Sequence, residues 1–207
     1  MTNRQRLAQE TRRKLLEAGK KILTEKGMSD TCVEEITEAA GVSKGTFYTY
    51  FRRKEELVFE LSRNRFDELL QKARETPGSF PDRLKEYLTG FSGLIEEGGA
   101  RLAQDWMKSV VSPAGKGQYT DRGKLAADIA ALEDLFSFGV RAGLLDKRVP
   151  AKELARTLAD LLYGEMLCWS MSDGTYSLKE RTQEFCAAHL KGMLRAYILE
   201  QGGNRDE

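Results

Sequence analysis

Apolar residues recur along this chain at three- and four-residue spacing, and no run alternates apolar with polar residues as a strand would. Leu15, Leu16, Ile22 and Leu23 share one face of a helix expected over about residues 10–26, which Gly27 is placed to stop. Thr31 is expected to cap a second helix with Glu34 reaching back, and Val33, Ile36, Ala39 and Ala40 are its inward positions. Gly41 suits the left-handed end of that helix. Ser43 then caps a short third helix, about residues 44–50, with Phe47 and the following Phe51 turned inward. A long helix over about 54–74 carries Leu57, Leu61, Phe66, Leu69 and Leu70 and breaks at Thr76-Pro77-Gly78-Ser79.

Further helices are expected over about 81–97, 100–111 and 124–142, separated by Gly98-Gly99 and by a Gly-, Pro- and polar-rich stretch over 112–123. Pro150 opens a helix reaching about Ser172. The last runs from Ser177, with Glu180 completing a second capping box, to about Leu199. The fold class is all-α, with about nine helices. Residues 1–53 form an N-terminal domain and 54–200 a larger helical body, and 201–207 are expected to be a disordered tail.

The last two helices are unusual. Lys152, Arg156 and Asp160 make one narrow polar stripe, while Leu154, Leu158, Leu161, Leu162, Tyr163, Met166, Leu167 and Trp169 cover most of the rest. A surface helix needs only about 100° of apolar face, so this one is expected to pack on a second partner as well. In the last helix Leu190, Met193, Leu194, Tyr197 and Ile198 are apolar, and Ala188 and Gly192 permit close approach. The pair predicts a homodimer through a four-helix interface; one continuous monomeric core is the alternative.

Composition narrows the classes. No stretch of about 18 apolar residues exists to cross a membrane, and the N-terminus lacks the apolar core of a secretory signal, so a cytoplasmic protein is expected. Cys32, Cys168 and Cys186 have no CxxC spacing, which argues against a disulfide scaffold or zinc site; small buried apolar roles are expected, with a redox switch through Cys168 and Cys186 as a lesser idea. The net charge of +1 conceals an asymmetry: residues 1–54 hold 12 Lys or Arg against 7 Asp or Glu. A basic head on a mildly acidic body suits contact between the head and a polyanion.

That head carries the chemistry. Two short helical patterns meet at Gly41-Val42, and the second presents Ser43, Lys44, Thr46, Tyr48 and Tyr50 on a compact surface, as a helix-turn-helix presents donors to DNA. The segment Gly27–Leu57, GMSDTCVEEITEAAGVSKGTFYTYFRRKEEL, closely resembles the DNA-binding domain of TetR-family transcriptional regulators. Arg12 and Leu15-Leu16 precede it, and within it a Gly, a Thr, an Ile, then AGVSKGTFY, YF and KEEL occur in order without gaps. The departures are Gly19 where the pattern favours Ala, Leu23 where it favours Phe, and Cys32 where Thr or Ser is common. Cys32 puts a phosphate contact at the start of the second helix in doubt.

The resemblance implies a double-stranded DNA operator as partner and a DNA-facing set of Thr31, Ser43, Lys44, Gly45, Thr46, Tyr48, Tyr50 and Lys54. Lys44 is long enough for a guanine edge, and Gly45 lets the backbone approach closely. Thr46 and Tyr48 would hold phosphates, Tyr50 lies at the rim, and Lys54 would meet a phosphate at a helix N-terminus. Packing on the first helix competes for Tyr48 and Tyr50; Arg52 and Arg53 are open between solvent and phosphate, and Arg4 and Arg6 are expected in a loose arm.

The implied mechanism is a homodimeric repressor released from a pseudo-palindromic operator by an unidentified small-molecule effector, with the fourth helix as lever. Tyr87, Phe91, Trp106, Met107, Phe136, Tyr163, Glu165, Met166 and Trp169 are candidate pocket residues, with plain core the competing reading for the apolar ones. Glu165 could pair with a cationic ligand, an interface cation or solvent. No cofactor is implied. An enzyme is disfavoured, since His189 is the one histidine and no Gly-rich phosphate loop occurs. A DNA-bound adaptor or activator that contacts a protein partner is the alternative function.

Overall fold

The computed structural model describes residues 2–28, 30–111 and 122–199. Among them the helices are α1 (Asn3–Lys26), α2 (Val33–Ala40), α3 (Lys44–Tyr50), α4 (Lys54–Glu75), α5 (Phe80–Gly98), α6 (Ala100–Val111), α7 (Arg122–Arg141), α8 (Ala151–Met171), α9 (Leu178–Phe185) and α10 (Lys191–Leu194), with a π-helical segment, Cys186–Leu190, joining the last two. The fold is all-α. The tail expected at 201–207 and most of the loop at 112–123 lie outside the described residues.

Helix α1 starts seven residues earlier than its apolar face suggests. Thr2 accepts from the Gln5 amide at 3.3 Å, and the Gln5 side chain accepts from the Thr2 amide at 2.8 Å, closing a capping box. Arg4 and Arg6 therefore stand on a helix rather than in a loose arm.

At the start of α2 the cap is displaced by one residue. Thr31 is 2% exposed and its hydroxyl donates to the Gly27 carbonyl at 2.6 Å, so it cannot cap. Cys32 holds the cap position instead, and Glu35 rather than Glu34 reaches back to its amide at 3.1 Å. The inward face follows this register: Ile36, Thr37 and Ala40 are buried, whereas Ala39, expected inside, faces solvent. Gly41 adopts φ 66° and ψ 35°, the left-handed turn a side chain would resist.

One core cluster belongs to the N-terminal helices. Leu15, Leu23, Ile36, Phe47, Phe51 and Leu57 are its main buried members, and Tyr50 packs against its edge. Gly19 allows α4 to come close, because a Cβ there would stand 2.5 Å from Leu57 Cδ2. A larger cluster fills the body, where Phe80 packs on Phe136 at 5.1 Å between ring centroids. A third joins Ala103, Met166, Trp169 and Leu178.

The predicted final helix is shorter and less regular than its pattern. Ser177 caps α9 by accepting from the Glu180 amide at 3.1 Å, while Glu96 of α5 accepts from the Ser177 hydroxyl and the Lys179 amide. After α10 the chain turns, and Leu145 and Ile198 form an isolated antiparallel bridge. The Asp146 amide donates to the Tyr197 carbonyl at 2.8 Å and the Leu199 amide to the Leu144 carbonyl at 3.1 Å. These bonds end the helix before Leu199 and fasten the chain to the α7–α8 connection. Leu190 and Leu194, expected at a dimer surface, are buried in the body's own core.

Of the cysteines expected to be buried, only Cys186 is; Cys32 and Cys168 are exposed. Burial first, and then the nearby Glu165 carboxylate, push the Cys186 thiol up to about 11, which keeps it protonated and unreactive at neutral pH.

Candidate functional site

The outer face of α3 is built from its N-terminal turn. Ser43 caps it by accepting from the Thr46 amide at 3.1 Å, and the two hydroxyls meet at 2.8 Å. Gly45 is exposed and its missing side chain leaves open space apart from Ser43 Oγ at 3.7 Å. Tyr48 is 50% exposed and leans edge-on against Phe47, with ring centroids 5.5 Å apart. Lys44 is exposed and ion-paired with Glu34 of α2. Their hydrogen bond, above all, raises the Lys44 ammonium and lowers the Glu34 carboxyl from their ordinary values. The face thus gathers Ser43, Lys44, Gly45, Thr46 and Tyr48, with half-buried Tyr50 behind it.

Two members of the predicted set sit elsewhere. Thr31 is buried, its hydroxyl committed to Gly27, so it has no surface to offer a phosphate. Lys54 curls beneath the α1–α2 turn, donating to the Met28 carbonyl and, at 2.8 Å, to the Thr31 carbonyl. It ties the turn to the start of α4. Lys54→Met should lower unfolding free energy by about 1.5–3 kcal/mol, the range for hydrogen bonds to a charged group, as measured by urea denaturation.

A cavity of about 280 Å³ opens where the N-terminal helices meet the body. Lys20, Leu23 and Thr24 of α1 line it together with Val58, Leu61, Arg65 and Phe66 of α4. Helices α5, α6 and α8 contribute Phe91, Leu94, Ile95, Leu102, Trp106, Tyr163 and Met166, and α7 contributes Lys124. Helix α6 also braces the α1–α2 turn through the ion pair of Arg101 with Asp30.

Of the predicted pocket residues, Phe91, Trp106, Tyr163 and Met166 line this cavity. The other five do not. Tyr87 and Phe136 are buried in the body's core, and Met107 packs against the cluster of Ala103, Met166 and Trp169. Trp169 is 3% exposed and its indole donates to the Tyr176 carbonyl at 2.8 Å. Glu165 accepts from the Thr182 hydroxyl at 2.6 Å, and Ser92 lies 2.7 Å from Thr182. Its carboxylate is spent on joining α5, α8 and α9.

The polar part of the wall escaped the sequence reading. Lys124 lies 2.5 Å from both carboxylate oxygens of Asp128, and the Tyr163 hydroxyl donates to Asp128 at 2.7 Å. The Lys124 ammonium also stands 4.1 Å from the Phe66 ring centroid and 5.3 Å from that of Phe91. Burial, with the Asp128 charge second, raises the Tyr87 phenol, so it stays protonated at any physiological pH.

Among the described residues no helix is long and apolar enough to cross a membrane, and no cluster of His, Cys, Asp and Glu suits a metal ion. The family profile described as "Bacterial regulatory proteins, tetR family" matches residues 15–61, which span the end of α1 through the start of α4. The HTH-type transcriptional regulator AcrR of Shigella flexneri is 25% identical over 200 residues, 93% of this chain and 91% of that protein. A TetR-family regulator from Pectobacterium atrosepticum has the same fold, with a TM-score of 0.68 at 17% identity over 94% of this chain and 98% of that one. FadR of Bacillus subtilis, solved with stearoyl-CoA, aligns with a TM-score of 0.63 at 17% identity over 87% and 96%. With the motif in α1–α4 and the exposed face of α3, residues 15–61 form a DNA-binding domain of the TetR family of transcriptional regulators, and the chain is similar to such regulators over most of its length.

Proposed function

We propose that the protein is a homodimeric repressor that leaves a pseudo-palindromic operator when a small molecule enters the cavity between α1, α4, α5, α6 and α8. Residues 1–53 serve as the DNA-binding head, and residues 54–200 as the body that dimerises and senses the ligand. The observation that carries the reading is the cavity's wall: α1 and α4 line it directly, and α4 begins four residues after the DNA-facing α3 ends. A ligand wedged there favours one tilt of the head over another, and two heads must match half-sites about one helical turn apart. This also favours the repressor over the adaptor alternative, which needs no cavity.

Dimerisation has its own support. Gly164, Leu167, Cys168 and Met171 of α8 are exposed, Met171 at 78%, and Ala188 and Gly192 are exposed on the last helical segment with open space at both glycines. Sedimentation should find a dimer that Met171→Glu with Leu167→Glu converts to monomer.

Operator selection from a random DNA pool supplies the sequence for the direct test. On that operator Lys44→Ala should cost about 1–3 kcal/mol and relax base preference at one position per half-site. An equal loss on every sequence would make Lys44 a phosphate contact instead.

A further inference from the structure

We propose that the cavity is a receptor for a protonated hydrophobic amine, and that the side chain of Lys124 fills its cation site while no ligand is bound. The inference rests on the ligand-released reading above and names the ligand class for that same cavity. Lys124 is held as an ammonium ligand would be: Asp128 takes its hydrogen bonds at 2.5 Å, the Phe66 and Phe91 rings face it at 4.1 and 5.3 Å, and Tyr163 fixes the carboxylate at 2.7 Å. A carboxylate with two aromatic faces is a combination that stabilises an organic cation in a desolvated site.

The two charges are unequal in their freedom to move. Asp128 has a short side chain, 8% exposed, one turn beyond Lys124 on α7, with Tyr163 bonded to it. Lys124 stands on the first turn of α7, lines the cavity, and has four flexible methylenes. An incoming ammonium can therefore displace Lys124 toward solvent and inherit Asp128. An incoming anion finds the Lys124 ammonium already engaged by a fixed carboxylate that repels it. The other charged wall residues are more open to solvent: Lys20 is exposed, and the Arg65–Glu97 pair is 40% and 61% exposed against 12% for Lys124. Between them the wall is apolar, through Val58, Leu61, Leu94, Ile95, Leu102 and Met166. The occupant is thus a single ammonium group on an apolar body that fits about 280 Å³.

Full-length protein titrated with n-octylamine, n-octanoate and 1-octanol by calorimetry at neutral pH tests this. Octylammonium should bind the natural protein, and bind Lys124→Met at least tenfold more tightly, because the internal competitor is gone. It should raise the melting temperature of that variant more than that of the natural protein. Adding Asp128→Asn to Lys124→Met should bring octylammonium down to the affinity of octanol, and octanoate should never exceed octanol. Lys124→Gln, which keeps one donor for Asp128, takes the place of the Met variant if that variant does not fold.

Octylammonium binding no tighter to the Lys124 variants, octanoate binding that disappears with Lys124, or no binding by octylammonium at all would each overturn the proposal. Operator release is followed in parallel with the selected DNA. Release by some other compound without octylammonium binding removes the ammonium site and leaves the repressor. Octylammonium binding with the expected variant pattern but unchanged operator affinity establishes the site and removes the released-repressor reading.

Discussion

Phe47→Ala should destabilise the N-terminal helices by about 3–5 kcal/mol and abolish operator binding under conditions where the natural protein binds. The ring is 0% exposed and lies 5.5 Å, between centroids, from both Phe51 and Tyr48. It is the side chain through which α3 grips the core formed with α1 and α2. Truncation leaves a void that seven residues of helix cannot collapse to fill, because α3 is capped by Ser43 at one end and followed by buried Phe51 at the other. Phe47→Leu, which keeps most of the volume, should cost under about 1.5 kcal/mol and retain binding. Urea denaturation followed by circular dichroism, with operator mobility shift on the same samples, measures both. A loss below about 1 kcal/mol for Phe47→Ala would mean that α3 is held mainly by contacts other than this ring.

The second large effect is an asymmetry within one ion pair. Lys124→Met should cost about 3–5 kcal/mol, because it strands a carboxylate that is 8% exposed and that, among the described residues, keeps Tyr163 alone to satisfy it. Asp128→Asn should cost only about 1–2 kcal/mol, since the lysine can turn to solvent and the amide oxygen still accepts from Tyr163. Combining the two should be milder than Lys124→Met alone, because no unpaired charge remains. Equal single losses would show that the lysine is as confined as the aspartate.

Helix boundaries at α2, α3 and α4 were legible because caps and glycines punctuate them: Ser43 closes on the Thr46 amide and Gly41 takes the left-handed turn. The start of α2 was less so. Thr31 and Cys32 are adjacent, a hydroxyl is the better cap, and only the approach of Gly27 reveals that Thr31 is pulled inward. The face of α3 followed from its motif. Lys54 misled because a lysine at a helix start suits a phosphate and two backbone carbonyls equally well, and the carbonyls lie 23 and 26 residues earlier in the chain.

The cavity was half legible. Phe91 and Phe136 are both aromatic residues at helical spacing, yet one lines the cavity and the other is sealed against Phe80. Periodicity tells inside from outside but not wall from filling. Lys124 and Asp128 went unnoticed because an i,i+4 ion pair on a helix reads as a solvated face. Only the packing of Phe66 and Phe91 over Lys124 turns that pair inward.

Because Lys20, Leu23 and Thr24 of α1 are part of the cavity wall, the head is not a detachable module. A chimaera that carried a foreign head on this body would exchange those three side chains along with the operator preference. A ligand held in the cavity as proposed would meet a different wall even with every body residue kept. A new operator preference is therefore better engineered by changing the outer residues of α3, which stand clear of the cavity, than by grafting whole N-terminal domains.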